Sequence, residues 1–238
     1  MKPQIVTVDQ GYNNKNIEQM RQRLENSKSY KDLSTIIVCP TRGVIPAKVV
    51  QSWMSLIRPM NQKVIGPLFA IGMEVGAAYE NLFEMILDNP ELSQWKYILT
   101  IEEDNIPPPD GLLKLYENMD RFDVIGGLYW TKGELGQPMI YGDPGIMPKN
   151  FIPQQPRTGQ IQPANGLGMG FNLFKIESLK KVPRPWFKTL QEFDRISGAR
   201  VYTQDLYFYE RGAKEGLRYA CDCRILVGHL DYENDRIW

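Results

Sequence analysis

Tyr97-Ile-Leu-Thr-Ile-Glu-Glu-Asp-Asn-Ile-Pro-Pro108 decides how the rest of this chain is read. Its first five residues form an apolar run with the length and composition of a buried strand. The run stops at three consecutive carboxylates, Glu102, Glu103 and Asp104. In an open α/β sheet, ligands gather outside the carboxyl ends of the strands, so this acidic cluster is delivered to a binding rim. Adjacent carboxylates repel one another unless a cation or hydrogen bonds offset the repulsion. A divalent cation that also clamps a diphosphate is one resolution. A solvated acidic turn is the other.

Working outward, Ser34-Thr-Ile-Ile-Val-Cys-Pro40 reads as a buried parallel strand, and Val64–Ile71 is a second apolar run. Helical periodicity runs over Ala47–Ile57 and Val75–Leu87. Downstream, Pro107-Pro-Pro-Asp110 opens a helix, proline being tolerated in a first turn. Val124-Ile-Gly-Gly-Leu-Tyr-Trp130 is a fourth strand, and its paired glycines point to a close backbone approach. This alternation predicts βα units: an α/β fold with a mixed, mostly parallel sheet flanked by helices. Residues 131–165, rich in Gly, Pro and Gln, read as irregular loops of the kind that form lids. Helical pattern returns near Ile176 and from Gln204 to Gly216, and Arg224–Gly228 is a closing strand that runs into His229. Residues 14–33 suit an exposed amphipathic helix. The expected division is therefore an N-terminal helical or extended segment, 1–33, and a single domain, 34–238. Within that domain a nucleotide-binding half (34–130) and an acceptor-binding half (131–238) share one sheet.

Composition narrows the class. The chain has 238 residues, 42% hydrophobic and 24% charged, as expected for a folded globular protein. No apolar run is long enough to span a membrane, and the first residues lack the apolar stretch of a secretory signal. Cys39, Cys221 and Cys223 suggest free thiols in a reducing, cytoplasmic setting rather than a disulfide framework. Zero formal net charge argues against a protein held on nucleic acid by bulk charge. Yet Gly145–Leu190 carries seven basic residues against one acidic residue, Glu177, a net of +6. A solvated face and a polyanionic partner both account for that bias.

Three further features bear on chemistry. The one histidine, His229, ends an apolar strand in Val-Gly-His-Leu-Asp. Asp205 begins a helix in Thr-Gln-Asp-Leu-Tyr-Phe, where an aspartate is commonly a cap. Asn165-Gly-Leu-Gly-Met-Gly170 is a glycine-rich bend before apolar Phe171-Asn-Leu-Phe174.

In their order and spacing these segments resemble the GT-A (Rossmann-like) glycosyltransferases, especially small family 2-like enzymes of bacteria and phages. The resemblance covers about four-fifths of the chain, from Thr35 to Asp231. It implies that Pro40, Thr41 and Arg42 meet the base and ribose of a nucleoside diphosphate sugar, a UDP-sugar first. Asn81, in Ala-Ala-Tyr-Glu-Asn, sits where the family often has Ala-Arg-Asn, with Glu80 replacing the arginine. Glu102-Glu103-Asp104 matches the DxD motif with Glu first. The resemblance thus implies donor contacts from Glu102, Glu103 and Asp104, and Mn²⁺ (or Mg²⁺) held by Glu102, Asp104 and His229. Asp205 matches the catalytic Glu-Asp segment, which implies a general base and inversion. Gly168, Met169 and Gly170 with the Lys181–Phe187 loop resemble the acceptor side. Trp130 and Trp186 there suit either stacking on a sugar or base, or packing.

For the acceptor, the +6 stretch suits DNA carrying a hydroxymethylated pyrimidine, flipped out of the duplex, as in TET-associated glycosyltransferases. A phage-encoded enzyme of that kind would work in the host cytoplasm. A saccharide or glycan hydroxyl is the alternative, as is a non-catalytic carbohydrate- or nucleic-acid-binding module of the same fold. A nucleotidyltransferase would carry a Gly-rich, basic loop after its first strand, and Pro40-Thr-Arg-Gly-Val-Ile-Pro46 lacks one.

Overall fold

The computed structural model describes residues 31–194 and 198–238, with backbone only at 192, 194 and 198–201. The helix expected over 14–33 lies almost wholly outside them. The principal strands are β1 (Thr35–Thr41), β2 (Val64–Ile71), β3 (Tyr97–Ile101), β5 (Val124–Leu128), β7 (Ile161–Ala164), β9 (Phe171–Lys175) and β12 (Tyr219–Leu226). They form one sheet in the order β2-β1-β3-β9-β5-β12-β7. β1 pairs parallel with β2 and β3, and β5 parallel with β12. β9 runs antiparallel between β3 and β5, and β7 antiparallel on the β12 edge. Five strands thus share a direction, as the sequence predicted.

The helices are α1 (Ala47–Ser55), α2 (Val75–Asp88), α3 (Gly111–Glu117), α4 (Ile176–Leu179) and α5 (Gln204–Lys214). Strand alternation divides the core between the two sheet faces. Ile36 and Val38 of β1 pack with Tyr79, Phe83, Phe174, Trp186 and Phe208. Ile37 and Cys39 pack with Leu112, Leu115, Phe171 and Ile225. The paired glycines of β5 do mark a close approach: a Cβ on Gly126 would lie 2.0 Å from Asn172 Oδ1.

Several local expectations are corrected. Pro107–Pro109 precede α3 rather than entering its first turn, because their carbonyls serve α1. Pro107 O accepts from Ser52 Oγ (2.7 Å), and Pro109 O from the Ile57 N–H (2.8 Å) just past α1. Within the stretch expected to be irregular, β7 is an edge strand. Pro163 is tolerated there because an edge strand has one unpaired side. Short β6 (Ile140–Tyr141) pairs with β8 (Gly166–Leu167), and β10 (Leu190–Asp194) with β11 (Gly198–Tyr202).

The closing strand begins five residues earlier than expected, and His229 is not on it. A break at Val227 separates β12 from β13 (Gly228–Asp231), which pairs antiparallel with β4 (Asn105–Ile106) and with β14 (Arg236–Ile237). The β4–β13 ladder is two residues long, Gly228 facing Ile106 and His229 facing Asn105. It stitches the end of β12 to the end of β3 across the rim.

Candidate active site at the carboxyl rim

β1, β3, β5 and β12 point the same way, so Thr41, Glu102, Trp130 and Gly228 all emerge at one end of the sheet. Because β9 runs the other way, its leading bend Gly168–Gly170 arrives there too. The rim is where ligands collect in such sheets.

Asp104 and His229 meet there. Asp104 Oδ2 lies 3.4 Å from His229 Nε2 and 2.5 Å from Lys132 Nζ. Burial works against the Asp104 charge, but the imidazole and the ammonium outweigh it and hold the carboxyl down at about 2. His229 Nδ1 lies 2.7 Å from the Trp130 carbonyl oxygen. A carbonyl can only accept, so Nδ1 carries the hydrogen, and Nε2 is the nitrogen that faces the carboxylate. The ring stands edge-on to Tyr129, centroids 5.6 Å apart. His229 N–H donates to Trp238 O (3.0 Å), and Trp238 N–H to His229 O (3.1 Å).

The three carboxylates have separate fates. Glu103 turns to the loop after β1, accepting from Thr41 Oγ1 (2.6 Å), Arg42 N–H (2.8 Å) and Arg42 Nε (2.5 Å). Although burial opposes its charge, these donors lower its pKa. Thr41 and Arg42 are thus engaged with Glu103, and Pro40 is buried inside β1. Glu102 is half-buried and accepts from Tyr79 Oη at 2.9 Å. Burial and the Asp104 charge push it up to about 7. Asp205 is 6% exposed at the start of α5 and accepts the Leu206 N–H at 2.8 Å. Burial raises its pKa, and its charge is felt by Glu102, Tyr129 and Tyr209.

The remaining expected contacts are not gathered here. Asn81 is exposed on α2 and bonds back to Ala77 O at 2.8 Å. Trp186 is 2% exposed, its indole N–H donated to Val182 O (2.9 Å), so it is packed in the core rather than offered as a stacking platform. Gly168, Met169 and Gly170 are also buried. Tyr129 Oη accepts the Gly170 N–H (2.8 Å), and a Cβ at Gly170 would lie 2.4 Å from Asn105 Oδ1. These glycines let Tyr129 and Asn105 close over the bend, a packing role. Trp130 is half-buried and contributes its carbonyl to His229.

Glu80 explains the departure from Ala-Arg-Asn. Its Oε2 accepts the N–H groups of Trp186 and Phe187, both at 2.8 Å, and so ties α2 to the loop before β10. Lys132 and Tyr79 were not foreseen as site residues. A tyrosine at helical spacing with apolar Leu82, Phe83 and Ile86 was a usable signal for Tyr79, since a buried hydroxyl needs a partner. Lys132, in an irregular stretch, offered none.

The pair fits a divalent ion. Two ligands each about 2.0–2.2 Å from one metal are about 3 Å apart when adjacent, and the observed separation is 3.4 Å. The Nδ1 hydrogen bond also matches what orients metal-binding imidazoles. Among the described residues no group of three or more His, Cys, Asp or Glu side chains is arranged for a metal. Oxygen atoms from water or a bound ligand would have to complete the coordination.

No protein-family model and no curated protein matches the sequence. Solved structures do match. A197 from STIV superposes with a TM-score of 0.59 at 18% identity, over 86% of this chain and 92% of that one. GalNAc-T7, crystallised with UDP, GalNAc and Mn²⁺, gives a TM-score of 0.55 at 9% identity, over 84% of this chain. The matched part is 44% of the GalNAc-T7 chain. The fold is GT-A. Among the described residues no helix is long and apolar enough to cross a membrane.

Proposed function

We propose that this chain is a glycosyltransferase that moves a sugar from a nucleoside diphosphate sugar, a UDP-sugar first, to a hydroxyl acceptor, with inversion. The observation that carries the reading is the meeting of Asp104 Oδ2 and His229 Nε2 at the carboxyl rim of a GT-A sheet. GalNAc-T7, of the same fold, was crystallised with UDP and Mn²⁺, which supports both the donor class and the ion.

Asp104 and His229 would hold Mn²⁺ or Mg²⁺ against the donor diphosphate. Such an ion supplies Lewis-acid stabilisation of the negative charge that develops on the leaving group. Trp130 O fixes the imidazole rotation that keeps Nε2 turned inward. Glu103 does its work one step back, by setting the Thr41–Arg42 turn where a nucleoside would lie. Asp205, with its raised pKa, is the base that takes the acceptor proton as the hydroxyl attacks opposite the leaving diphosphate.

Part of the basic stretch that suggests a DNA acceptor lies away from the rim. In the register of β3 and β9, Lys175 faces Tyr97, the first residue of β3, and Lys180 and Lys181 follow at that same end. Those three basic residues therefore stand at the opposite end of the sheet from the rim. Lys180 is paired with Glu177, and Arg184 with Asp88.

Incubation with a panel of nucleoside diphosphate sugars and Mn²⁺ tests the reading. Release of a nucleoside diphosphate supports it. Pyrophosphate release would indicate nucleotidyl transfer, and neither release nor binding would indicate a non-catalytic module. Activity on a glycan that is indifferent to salt, against a steep loss with salt on DNA, decides the acceptor.

A further inference from the structure

Lys132 occupies a position that matters for both ligands of this site. Its ammonium lies 2.5 Å from Asp104 Oδ2, the very oxygen that faces His229 Nε2. An ion bound by that oxygen at about 2.2 Å would be within about 5 Å of the ammonium. At such a distance a dication and an ammonium repel strongly, and both compete for the same Asp104 oxygen. A bare divalent ion is therefore disfavoured while Lys132 remains in place.

A diphosphate changes the sign of that balance. It brings at least two negative charges to the rim and offers the ammonium several acceptor oxygens. The backbone around Lys132 is held by the turn that carries it. Thr131 N–H donates to Gln137 O (2.9 Å), Gln137 N–H to Thr131 Oγ1 (2.8 Å) and Gly136 N–H to Gly133 O (2.9 Å). The side chain itself is 31% exposed and ends a flexible four-carbon stem, so its head can turn without the loop moving. Two residues earlier, Trp130 O holds His229, so one short segment governs both partners of Asp104.

We propose that Lys132 is a donor-binding residue that couples metal to nucleotide. Its ammonium neutralises Asp104 when the site holds neither, then moves onto the diphosphate as ion and donor enter together. The proposal rests on the nucleoside diphosphate sugar reading of the site. By linkage, whatever UDP adds to the affinity for the ion, the ion adds to the affinity for UDP.

Mn²⁺ binding to the full chain, read from the electron paramagnetic resonance of free Mn²⁺ with and without saturating UDP, tests this. Wild type should bind Mn²⁺ at least tenfold more tightly with UDP than without. Lys132→Met should bind Mn²⁺ alone at least tenfold more tightly than wild type, and its gain from UDP should shrink correspondingly. Lys132→Arg, which keeps the charge, should behave like wild type and guards against misreading a folding defect. Equal Mn²⁺ affinity of wild type and Lys132→Met without UDP would overturn the coupling. So would UDP binding that needs no Mn²⁺ in wild type and is lost in Lys132→Met, since Lys132 would then replace the ion outright. If wild type and both variants bind neither Mn²⁺ nor UDP, the glycosyltransferase reading falls and the coupling with it.

Discussion

Glu80 Oε2 accepts the backbone N–H groups of both Trp186 and Phe187 at 2.8 Å, so a single carboxylate oxygen fastens helix α2 to the loop that precedes β10. Hydrogen bonds to a charged group contribute more than neutral ones, and removing the acceptor leaves two partly buried donors without a partner. Glu80→Ala should therefore destabilise the protein by roughly 2 kcal/mol. For a chain of this size that is a fall in Tm of about 4–8 °C, measurable by calorimetry. Glu80→Gln, which keeps an acceptor oxygen, should lose less. A Glu80→Ala melt unchanged from wild type would show the two bonds to be dispensable.

Replacement of His229 by alanine removes one of two candidate ligands but leaves the backbone pairing with Trp238 available. The variant should keep a near-wild-type melting transition while losing Mn²⁺-dependent UDP affinity by about 100-fold. Asp104→Asn should do the same, since the amide lacks the charge that draws a cation. Isothermal titration of UDP with and without Mn²⁺ distinguishes this from a general loss of fold.

Asp205→Asn should cut turnover by about 10²–10⁴, the usual contribution of a positioned base, with donor binding almost unchanged. The ionised carboxylate is the active form, and burial raises its pKa. Activity should accordingly fall, as pH is lowered, at a higher pH than an ordinary aspartate would give. A pH–rate profile on the wild type checks the position of that acid limb. More than half the activity surviving in Asp205→Asn would move the role to another group.

Gly170→Ala tests the packing of the bend. The added Cβ would lie 2.4 Å from Asn105 Oδ1 and 2.8 Å from Tyr129 Cζ, both buried. Overpacking of this kind costs about 1–3 kcal/mol. Because Tyr129 stands against the His229 ring, the same change should weaken Mn²⁺·UDP binding. Urea denaturation reads the first effect and titration the second.

The scaffold was legible where burial leaves a periodic trace. β1 is buried at all seven positions, so its continuous apolar run could be recognised without reference to any neighbour. β3 was readable in the same way and α2 by its helical spacing, whereas β2 showed an apolar run although only Ala70 is buried in it. β7 was not, because Gln162 and Pro163 dilute its pattern and its strand character comes from pairing with β12. Trp186 beside two prolines resembles an exposed platform, and only the partners Glu80 and Val182 reveal a buried one. Lys132 is a contact between residues far apart in sequence, made from a turn without periodicity, so nothing local announces it. The motif order named Asp104 and His229, whereas the fates of Glu102 and Glu103 depend on Tyr79, Thr41 and Arg42, which approach from other elements.

The two-residue ladder between β4 and β13 sets a timetable for biosynthesis. A ribosome that has already made Asp104 must translate more than half of the chain again before His229 exists to stand opposite Asn105. The nascent protein can lay down β1, β2 and β3 early, yet those strands remain inert until the final segment emerges and docks across them. A polypeptide released prematurely anywhere before that segment would contain every donor-side motif and still be without its imidazole.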